Sequence, residues 1–193
     1  MKALQLVTIT VWLLFIQVSF LAAQSFSIHL NKATVTGTSN LHDWESTIEK
    51  LECTGSFTLA NNTLKDIKDV VVKIPVKSIK SPKGKIMDSK TYEAFNYEKY
   101  PSIIFTLKTK KINDANSTIE VEGDLSMAGV TKAISMILNY KLVPSGEMQV
   151  SGAKKIIMTE FKMKPPTAMM GTIKVGNEVV VNFDLMLSMN NTL

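Results

Sequence analysis

Hydrophobic and polar residues alternate along most of the chain with a period of two, which is the pattern of a β-strand that buries one face. In the stretch TIEVEGDLSM, Ile119, Val121 and Leu125 share one face, and the acidic residues share the other. The next stretch, AISMILNYKL, repeats the alternation after the short connection AGVT. Together the two stretches predict an antiparallel hairpin.

The alternation recurs often enough to define a whole sheet. Further strands, some shorter or less regular, are predicted at 26–36, 44–59, 70–76, 103–107, 147–161 and 179–187. An antiparallel sheet of about eight strands closes naturally into a barrel whose interior holds side chains or one small ligand. We therefore predict an all-β fold, built as an eight-stranded antiparallel barrel.

One segment, MDSKTYEAFNYEKYP, breaks the alternation and predicts a short helix. Asp88 is a suitable N-cap, and Met87 and Tyr92 have the spacing of a hydrophobic staple. Tyr92 and Phe95 are three residues apart and share one face, while Asn96 is suited to end the helix. We expect this helix to cover an open end or a side of the barrel.

The N-terminus has the plan of a secretory signal peptide, because Lys2 precedes an apolar run at 4–21 that ends in small residues. Cleavage after Ala23 divides the chain into a signal peptide at 1–23 and one domain at 24–193. The mature protein is then expected in the periplasm or outside the cell. The alternative is an uncleaved membrane anchor, because the run is close to the length that spans a bilayer.

The charge pattern argues against nucleic acid as a partner. All 22 basic residues are lysine, and removing Lys2 leaves 21 lysines against 17 acids, a mature net charge of +4. Without arginine the chain lacks the side chain that usually binds phosphate groups through two hydrogen bonds. The mild excess of positive charge still permits weak attraction to an anionic membrane surface. The densest basic segment, 77–85, is either a solvated loop or a cationic rim that attracts an anionic head group.

The heptad TSNLHDW is the most enzyme-like part of the chain. Adjacent residues on an extended chain point to opposite faces, so His42 and Asp43 are poorly placed to act as a catalytic base and its partner. Two histidines and Cys53 have no metal-ligand spacing, so we expect no metal and no cofactor. We predict instead a corner at the barrel mouth, where Asp43 bonds local backbone amides and Trp44 covers the end of the core. His29 is interpreted as an ordinary strand residue, and Cys53 as a small buried hydrophobic residue.

Several stretches resemble, in order, the YceI-like family of bacterial polyisoprenoid-binding proteins. They are KIPVKSIKS, MDSKTYEAFNYEKYPSIIF, GDLSMAGVTKAISM and GNEVVVNFDL, preceded by the secretion signal. The resemblance spans nearly the whole mature chain. It departs most at TSNLHDWESTIEKLECTGSF, and lysine or an uncharged residue stands where the family often has arginine.

This resemblance implies a lipocalin-like barrel with a helix packed against it and an apolar pore for a long isoprenoid chain. It also implies polyprenyl lipids or prenylquinones as ligands, a periplasmic or secreted location, and members that are often homodimers.

Our leading hypothesis is a non-enzymatic binding protein that carries or sequesters an isoprenoid lipid or prenylquinone in its pore. The predicted ligand-binding residues are Trp44, Phe57, Tyr92, Phe95, Phe105, Leu125, Met127, Met136, Leu138, Phe183 and Leu185. One alternative is a protein-interaction module of the cell envelope with a filled barrel and no lipid. A third hypothesis is an envelope enzyme centred on His42.

Overall fold

The strands of the molecule follow one another with short connections, and a single helix interrupts them within the part of the chain that is described. The computed structural model describes residues 24–189, so the predicted signal peptide at 1–23 lies outside the described residues. The elements are β1 (Gln24–Ser39), β2 (Trp44–Ile48), β3 (Glu52–Ala60), β4 (Thr63–Pro75), β5 (Ile79–Lys80), α1 (Lys85–Phe95), β6 (Ser102–Asn113), β7 (Thr118–Met127), β8 (Val130–Leu142), β9 (Met148–Ile157), β10 (Thr167–Ala168) and β11 (Ile173–Met189), with short 3-10 turns at Val76–Ser78, Met158–Phe161 and Met169–Gly171.

Eight long strands form a closed antiparallel ring in the order β1, β3, β4, β6, β7, β8, β9 and β11. The ring closes because β11 pairs with β1 along most of their length, from Phe26 opposite Met189 to Ser39 opposite Val175. This confirms the predicted eight-stranded, lipocalin-like barrel. The short strands β2, β5 and β10 extend the sheet beyond the ring.

The hairpin between β7 and β8 follows the prediction from the sequence. Met127 pairs with Val130, which leaves Ala128 and Gly129 as a two-residue turn. Both turn residues have positive φ values, 50° for Ala128 and 81° for Gly129. This is the backbone that a tight hairpin needs, because its twist matches the twist of the flanking strands.

The single strand predicted at 44–59 is wrong, because the chain breaks there into β2 and β3. The Glu49 amide donates to the Ser78 carbonyl at 2.9 Å, and the Ser78 hydroxyl donates to the Lys50 carbonyl at 2.7 Å. The backbone at the break therefore bonds to the turn Val76–Ser78 instead of to a strand. As a result, β2 pairs with β5, while β3 pairs with β4.

The predicted N-cap of the helix is also wrong. The helix begins after Gly84, whose φ is 82°, and no side chain caps it. Asp88 lies in the first turn and is buried, and its carboxylate accepts a hydrogen bond from the Ser81 amide at 2.8 Å. Asp88 thus anchors the preceding loop, which leaves Gly84 to turn the chain. At the other end, Asn96 terminates the helix in the left-handed conformation, as predicted.

The buried side chains divide the barrel into a closed end and an open end. At the closed end, near the hairpin between β3 and β4, Phe57 and Leu64 are each only 1% exposed. Tyr140 plugs the same end, and its hydroxyl donates to Asp114 Oδ1 at 2.7 Å. At the open end α1 lies across the barrel, so the helix covers one end as expected.

Candidate functional site

A cavity of about 800 Å³ occupies the interior of the barrel. Its walls are the inward faces of the ring strands, and almost all the side chains along its length are aliphatic, aromatic or methionine. It reaches from the buried cluster at the closed end to α1 and the corner between β1 and β2 at the open end. This interior disagrees with the alternative hypothesis of a filled barrel.

Nine of the eleven residues predicted to bind a ligand line this cavity. They are Trp44, Phe95, Phe105, Leu125, Met127, Met136, Leu138, Phe183 and Leu185. The strand residues among them lie on the inward faces that the alternation identified. Trp44 of β2 and Phe95 of α1 lie at the open end of the cavity.

Phe57 and Tyr92 do not line the cavity. Phe57 faces inward but packs into the cluster at the closed end. Tyr92 lies on the flank of α1, where its hydroxyl accepts from Lys80 Nζ at 2.7 Å and donates to the Lys77 carbonyl at 3.2 Å. The Tyr92 hydroxyl therefore anchors the helix to β5 and the turn Val76–Ser78, and its ring packs against buried core residues without lining the cavity.

The sequence-based list missed many residues that line the same walls. Alternation alone would have found Val72, Ile74, Val121, Val150 and Val181, which share the inward faces of predicted strands. Met87, Lys90, Thr91 and Ala94 share one face of the helix by their spacing, but Lys90 and Thr91 are polar, so hydrophobicity does not mark that face. No pattern marks Pro166 and Ala168 before β11. These side chains reach the mouth only because the fold brings distant segments together.

Cys53 is one of the buried lining residues, as its interpretation as a small hydrophobic residue requires. Burial raises the pKa of the Cys53 thiol from 9.0 to about 12. The thiol therefore stays protonated at neutral pH, and a protonated thiol is a poor nucleophile and a poor metal ligand.

The corner between β1 and β2 lies at the mouth, where Ser39, His42 and Asp43 line the opening. Ser39, not Asp43, satisfies the corner's amides: its Oγ accepts from the Leu41 and His42 amides at 3.2 and 3.1 Å. The same hydroxyl donates to the His42 carbonyl at 2.7 Å. The expectation that Asp43 bonds these amides is therefore wrong, although the placement of the corner at the mouth is correct.

His42 does not form a dyad with the Asp43 carboxylate. Its Nδ1 lies 2.7 Å from the backbone carbonyl oxygen of Asp43. A carbonyl oxygen can only accept a hydrogen bond, so Nδ1 carries a hydrogen and donates a hydrogen bond to this oxygen. Among residues 24–189, no group of three or more histidine, cysteine or acidic side chains could hold a metal ion. At His42 and Asp43 the geometry therefore does not form a catalytic base with its partner.

The Trp44 side chain is held at the mouth by a backbone hydrogen bond and by close contact with Gly37. Its indole nitrogen donates to the Thr38 carbonyl at 3.0 Å. Its ring lies so close to Gly37 that a Cβ on Gly37 would be 2.8 Å from Trp44 Cε2. Gly37 therefore makes room for the indole, which forms part of the cavity wall.

Lys154 is a cationic side chain in an otherwise apolar wall. The ladder between β8 and β9 runs only from Leu138 opposite Gly152 to Leu142 opposite Met148. Beyond it the strands separate, and Lys154 Nζ donates to the Ser135 carbonyl at 2.7 Å. The lysine ammonium therefore bonds to the backbone of β8 beyond the end of the β8–β9 ladder.

The fold and the cavity define a lipocalin-like barrel that can enclose one apolar ligand. A family model described as a YceI-like domain matches residues 18–187, so the chain belongs to the YceI-like family. No curated protein matches the chain in sequence. No helix in residues 24–189 is long and apolar enough to cross a membrane.

Solved structures share this fold at low sequence identity. A polyisoprenoid binding domain from Saccharophagus degradans, described as implicated in plant cell wall breakdown, is 13% identical, with a TM-score of 0.66 over 86% of this chain and 99% of that one. BcnA of Burkholderia cenocepacia is 13% identical, with a TM-score of 0.65 over 82% and 96%. A Campylobacter jejuni YceI protein is 19% identical, with a TM-score of 0.59 over 76% and 84%.

Proposed function

We propose that this protein binds one long-chain isoprenoid lipid or prenylquinone in the barrel cavity and carries or sequesters it without chemical change. The observation that carries the proposal is the cavity itself: about 800 Å³, lined almost entirely by apolar side chains and bordered by polar groups at the mouth. Its volume falls within the range of small-molecule sites in proteins. The polyisoprenoid binding domain of Saccharophagus degradans, which has the same fold, supports this choice of ligand.

The energetics favour a ligand with a long hydrocarbon tail. Burial of each CH₂ group contributes about 0.8 kcal/mol before the cost of ordering the tail. A tail that fills the cavity therefore binds well with few polar contacts. The ring of strands supplies preformed walls, so little reorganisation of the protein is needed.

The composition of the walls suits a flexible, methyl-branched chain. Six methionines line the cavity: Met87, Met127, Met136, Met148, Met158 and Met163. Methionine side chains are unbranched and polarizable, so they adjust to an irregular apolar surface. An isoprenoid tail presents such a surface, with a methyl branch on every unit.

We place the head group at the mouth, beside the polar residues of the opening. Lys83 lines the mouth and offers ammonium donors, whereas the Ser39 and Thr91 hydroxyls already donate to the His42 and Met87 carbonyls. A quinone carbonyl or a prenyl alcohol oxygen can accept from such donors. The tail would then extend toward the closed end.

We also propose that the protein works outside the cytoplasm, after removal of residues 1–23. The support is the pattern of a short basic start, an apolar run and small residues before Gln24. N-terminal sequencing of the protein purified from its own cells tests this directly. A first residue of Gln24 is the expected result, and an intact Met1 would contradict it.

Ligand binding is tested by thermal unfolding of the purified protein with solanesol, a long-chain polyprenol, or a long-chain ubiquinone delivered from cyclodextrin. A ligand that binds only the folded state raises the melting temperature with ligand concentration. We expect this rise for both prenyl compounds and a smaller one for a straight-chain fatty acid. No shift with either prenyl compound would contradict the proposal.

A further inference from the structure

We propose that the rim around the cavity mouth is a docking surface for an anionic lipid bilayer. The rim consists of three segments: the β1–β2 corner at 39–43, the loop and helix start at 81–87, and the turn with its flanks at 166–173. Each segment contributes side chains to the opening of the cavity. The inference rests on the proposed function, because a membrane is the source of an isoprenoid ligand.

The first observation is where the exposed hydrophobic side chains lie. Leu41 is 64% exposed, Ile86 75% and Met169 73%, and Met170 is fully exposed. All four belong to the rim, one or two on each of its segments. Among residues 32–188, Ile137 on the outer barrel wall is the one other large hydrophobic side chain that is more than half exposed.

Two of the three rim segments are tied together by hydrogen bonds. Asn40 joins the corner to the chain before β11, because its Nδ2 donates to the Thr172 carbonyl at 2.9 Å and its Oδ1 accepts from the Lys174 amide at 2.7 Å. Leu41 on the corner and the turn Met169–Gly171 therefore sit on neighbouring parts of the rim. Three of the four exposed apolar side chains therefore lie on two connected segments, and Ile86 lies on the third segment of the rim.

The backbone of the turn holds its methionines outward. Met169, Met170 and Gly171 have consecutive positive φ values of 51°, 54° and 88°. Left-handed backbone is unfavourable for residues with a Cβ, and such strain is concentrated at functional sites. In this turn the strained backbone presents two flexible apolar side chains to the surroundings of the mouth.

The charge of the rim selects an anionic surface. Four lysines, Lys83, Lys85, Lys164 and Lys174, are exposed on or directly beside the rim. No ion pair joins any of them to an acid within residues 24–189. Two exposed acids lie there as well, Asp43 on the corner and Glu45 at the start of β2, so lysines outnumber acids by two. Lysines near a bilayer surface attract anionic head groups, while apolar side chains insert at the level of the acyl boundary.

The consequence is a route for the ligand. A rim that inserts Leu41, Ile86 and the methionine pair places the opening of the cavity against the acyl region. A prenyl chain can then move between membrane and cavity with little exposure of its tail to water. The closed end, plugged by Phe57 and Tyr140, faces away from the membrane.

The test is flotation of the full mature protein with vesicles of phosphatidylcholine alone or of phosphatidylcholine mixed with phosphatidylglycerol. We expect binding to the mixed vesicles and weaker binding at high salt, because salt screens the lysines. The double variant Met169→Ser, Met170→Ser should bind the mixed vesicles about tenfold more weakly. Ile137→Ser is the matched control, because it removes an exposed apolar side chain from the outer wall, and it should bind like the parent protein.

The outcomes separate this inference from the proposed function. Equal vesicle binding by the rim variant and the parent overturns the docking surface, as does equal loss in Ile137→Ser. The docking surface is also overturned if the parent binds no vesicles but forms a dimer in sedimentation velocity, and the rim variant does not form that dimer. In that case a second copy of this chain occupies the rim. In each case, solanesol delivered from cyclodextrin should still raise the melting temperature of parent and rim variant if the cavity binds prenyl chains.

Discussion

A Cβ added to Gly37 would lie 2.5 Å from Cζ2 of Trp44, so the backbone of β1 and the indole at the mouth are in direct contact. The two residues face each other across the pairing of β1 with β2. The ring of Trp44 is a wall of the cavity, and its position depends on the missing side chain of Gly37. This contact makes Trp44 a built-in reporter of the mouth.

The first prediction concerns that reporter. The chain contains two tryptophans, and the other one, Trp12, lies in the predicted signal peptide. Gly37→Ala should displace the indole, shift the fluorescence of the mature protein and weaken binding of a long-chain ubiquinone several-fold. Titration of that quinone should quench Trp44 in the parent protein.

The matched control for Gly37→Ala is Gly84→Ser at the start of the helix. A Cβ on Gly84 meets no atom within 4 Å, although its φ of 82° makes the substitution strained. This control should lose stability without changing the emission of Trp44. Unchanged emission and quinone affinity in Gly37→Ala would contradict the role given to the contact.

The second prediction compares two neighbouring valines of β4. Val72 lines the cavity, whereas Val71 is exposed on the outer wall. Val72→Trp should fill part of the cavity and lower the affinity for solanesol by at least about tenfold, because tail burial is lost. Val71→Trp adds the same volume outside and should leave the affinity unchanged. Equal effects of the two variants would show that the ligand does not occupy the cavity.

The third prediction concerns the loop before α1, which Asp88 anchors to the helix. The buried Asp88 carboxylate accepts from the Ser81 amide at 2.8 Å and lies 3.4 Å from Lys80 Nζ. Asp88→Ala removes the acceptor of the Ser81 amide and of Lys80 Nζ, and it should lower the free energy of unfolding by about 1–3 kcal/mol in urea titrations. Glu93→Ala breaks an exposed pair with Lys90 on the same helix and should cost at most about 0.5 kcal/mol. Similar losses in the two variants would refute the anchoring role of Asp88.

The fourth prediction is a loss of stability in alkali. The Cys53 thiol has a pKa of about 12 in the folded protein because it is buried, against 9.0 when it is unperturbed. Between these values the unfolded thiol loses its proton and the folded one keeps it, so the unfolded state gains stability as the pH rises. The contribution is about 1.4 kcal/mol per pH unit in that window, and it is absent below pH 9.

Urea titrations at several pH values test the alkaline loss. Cys53→Ala should flatten the decline between pH 9 and pH 12, apart from the contribution of other groups. Tyr140 is one of them, since burial and the Asp114 partner raise its pKa from 10.0 to about 12. An identical alkaline profile in Cys53→Ala and the parent would contradict the burial of the thiol.

The period-two alternation was sufficient to predict the barrel and most of the cavity wall, because a strand that buries one face has an apolar side chain at every second position. It identifies a face but not a height along the barrel axis. Phe57 faces inward, yet it packs at the closed end, below the cavity. The same pattern therefore cannot distinguish a wall residue from a plug.

Rules based on neighbouring residues failed where distant groups intervene. Asp88 is of a residue type that often caps helices, but its carboxylate accepts a hydrogen bond from the Ser81 amide, seven residues away. Tyr92 has helical spacing to Phe95, but its hydroxyl bonds to Lys80 and Lys77 turn it to the flank. The corner at the mouth was correctly located, whereas the residue that satisfies its amides, Ser39, was not identified.

The most direct test of the central claim is organic extraction of the protein purified from its own cells, followed by mass spectrometry of the extract. The account predicts a prenyl lipid or prenylquinone in stoichiometric amount from the parent protein and a strongly reduced amount from Val72→Trp. An extract from the parent protein without any prenyl compound, together with no binding of added solanesol or ubiquinone, would contradict it.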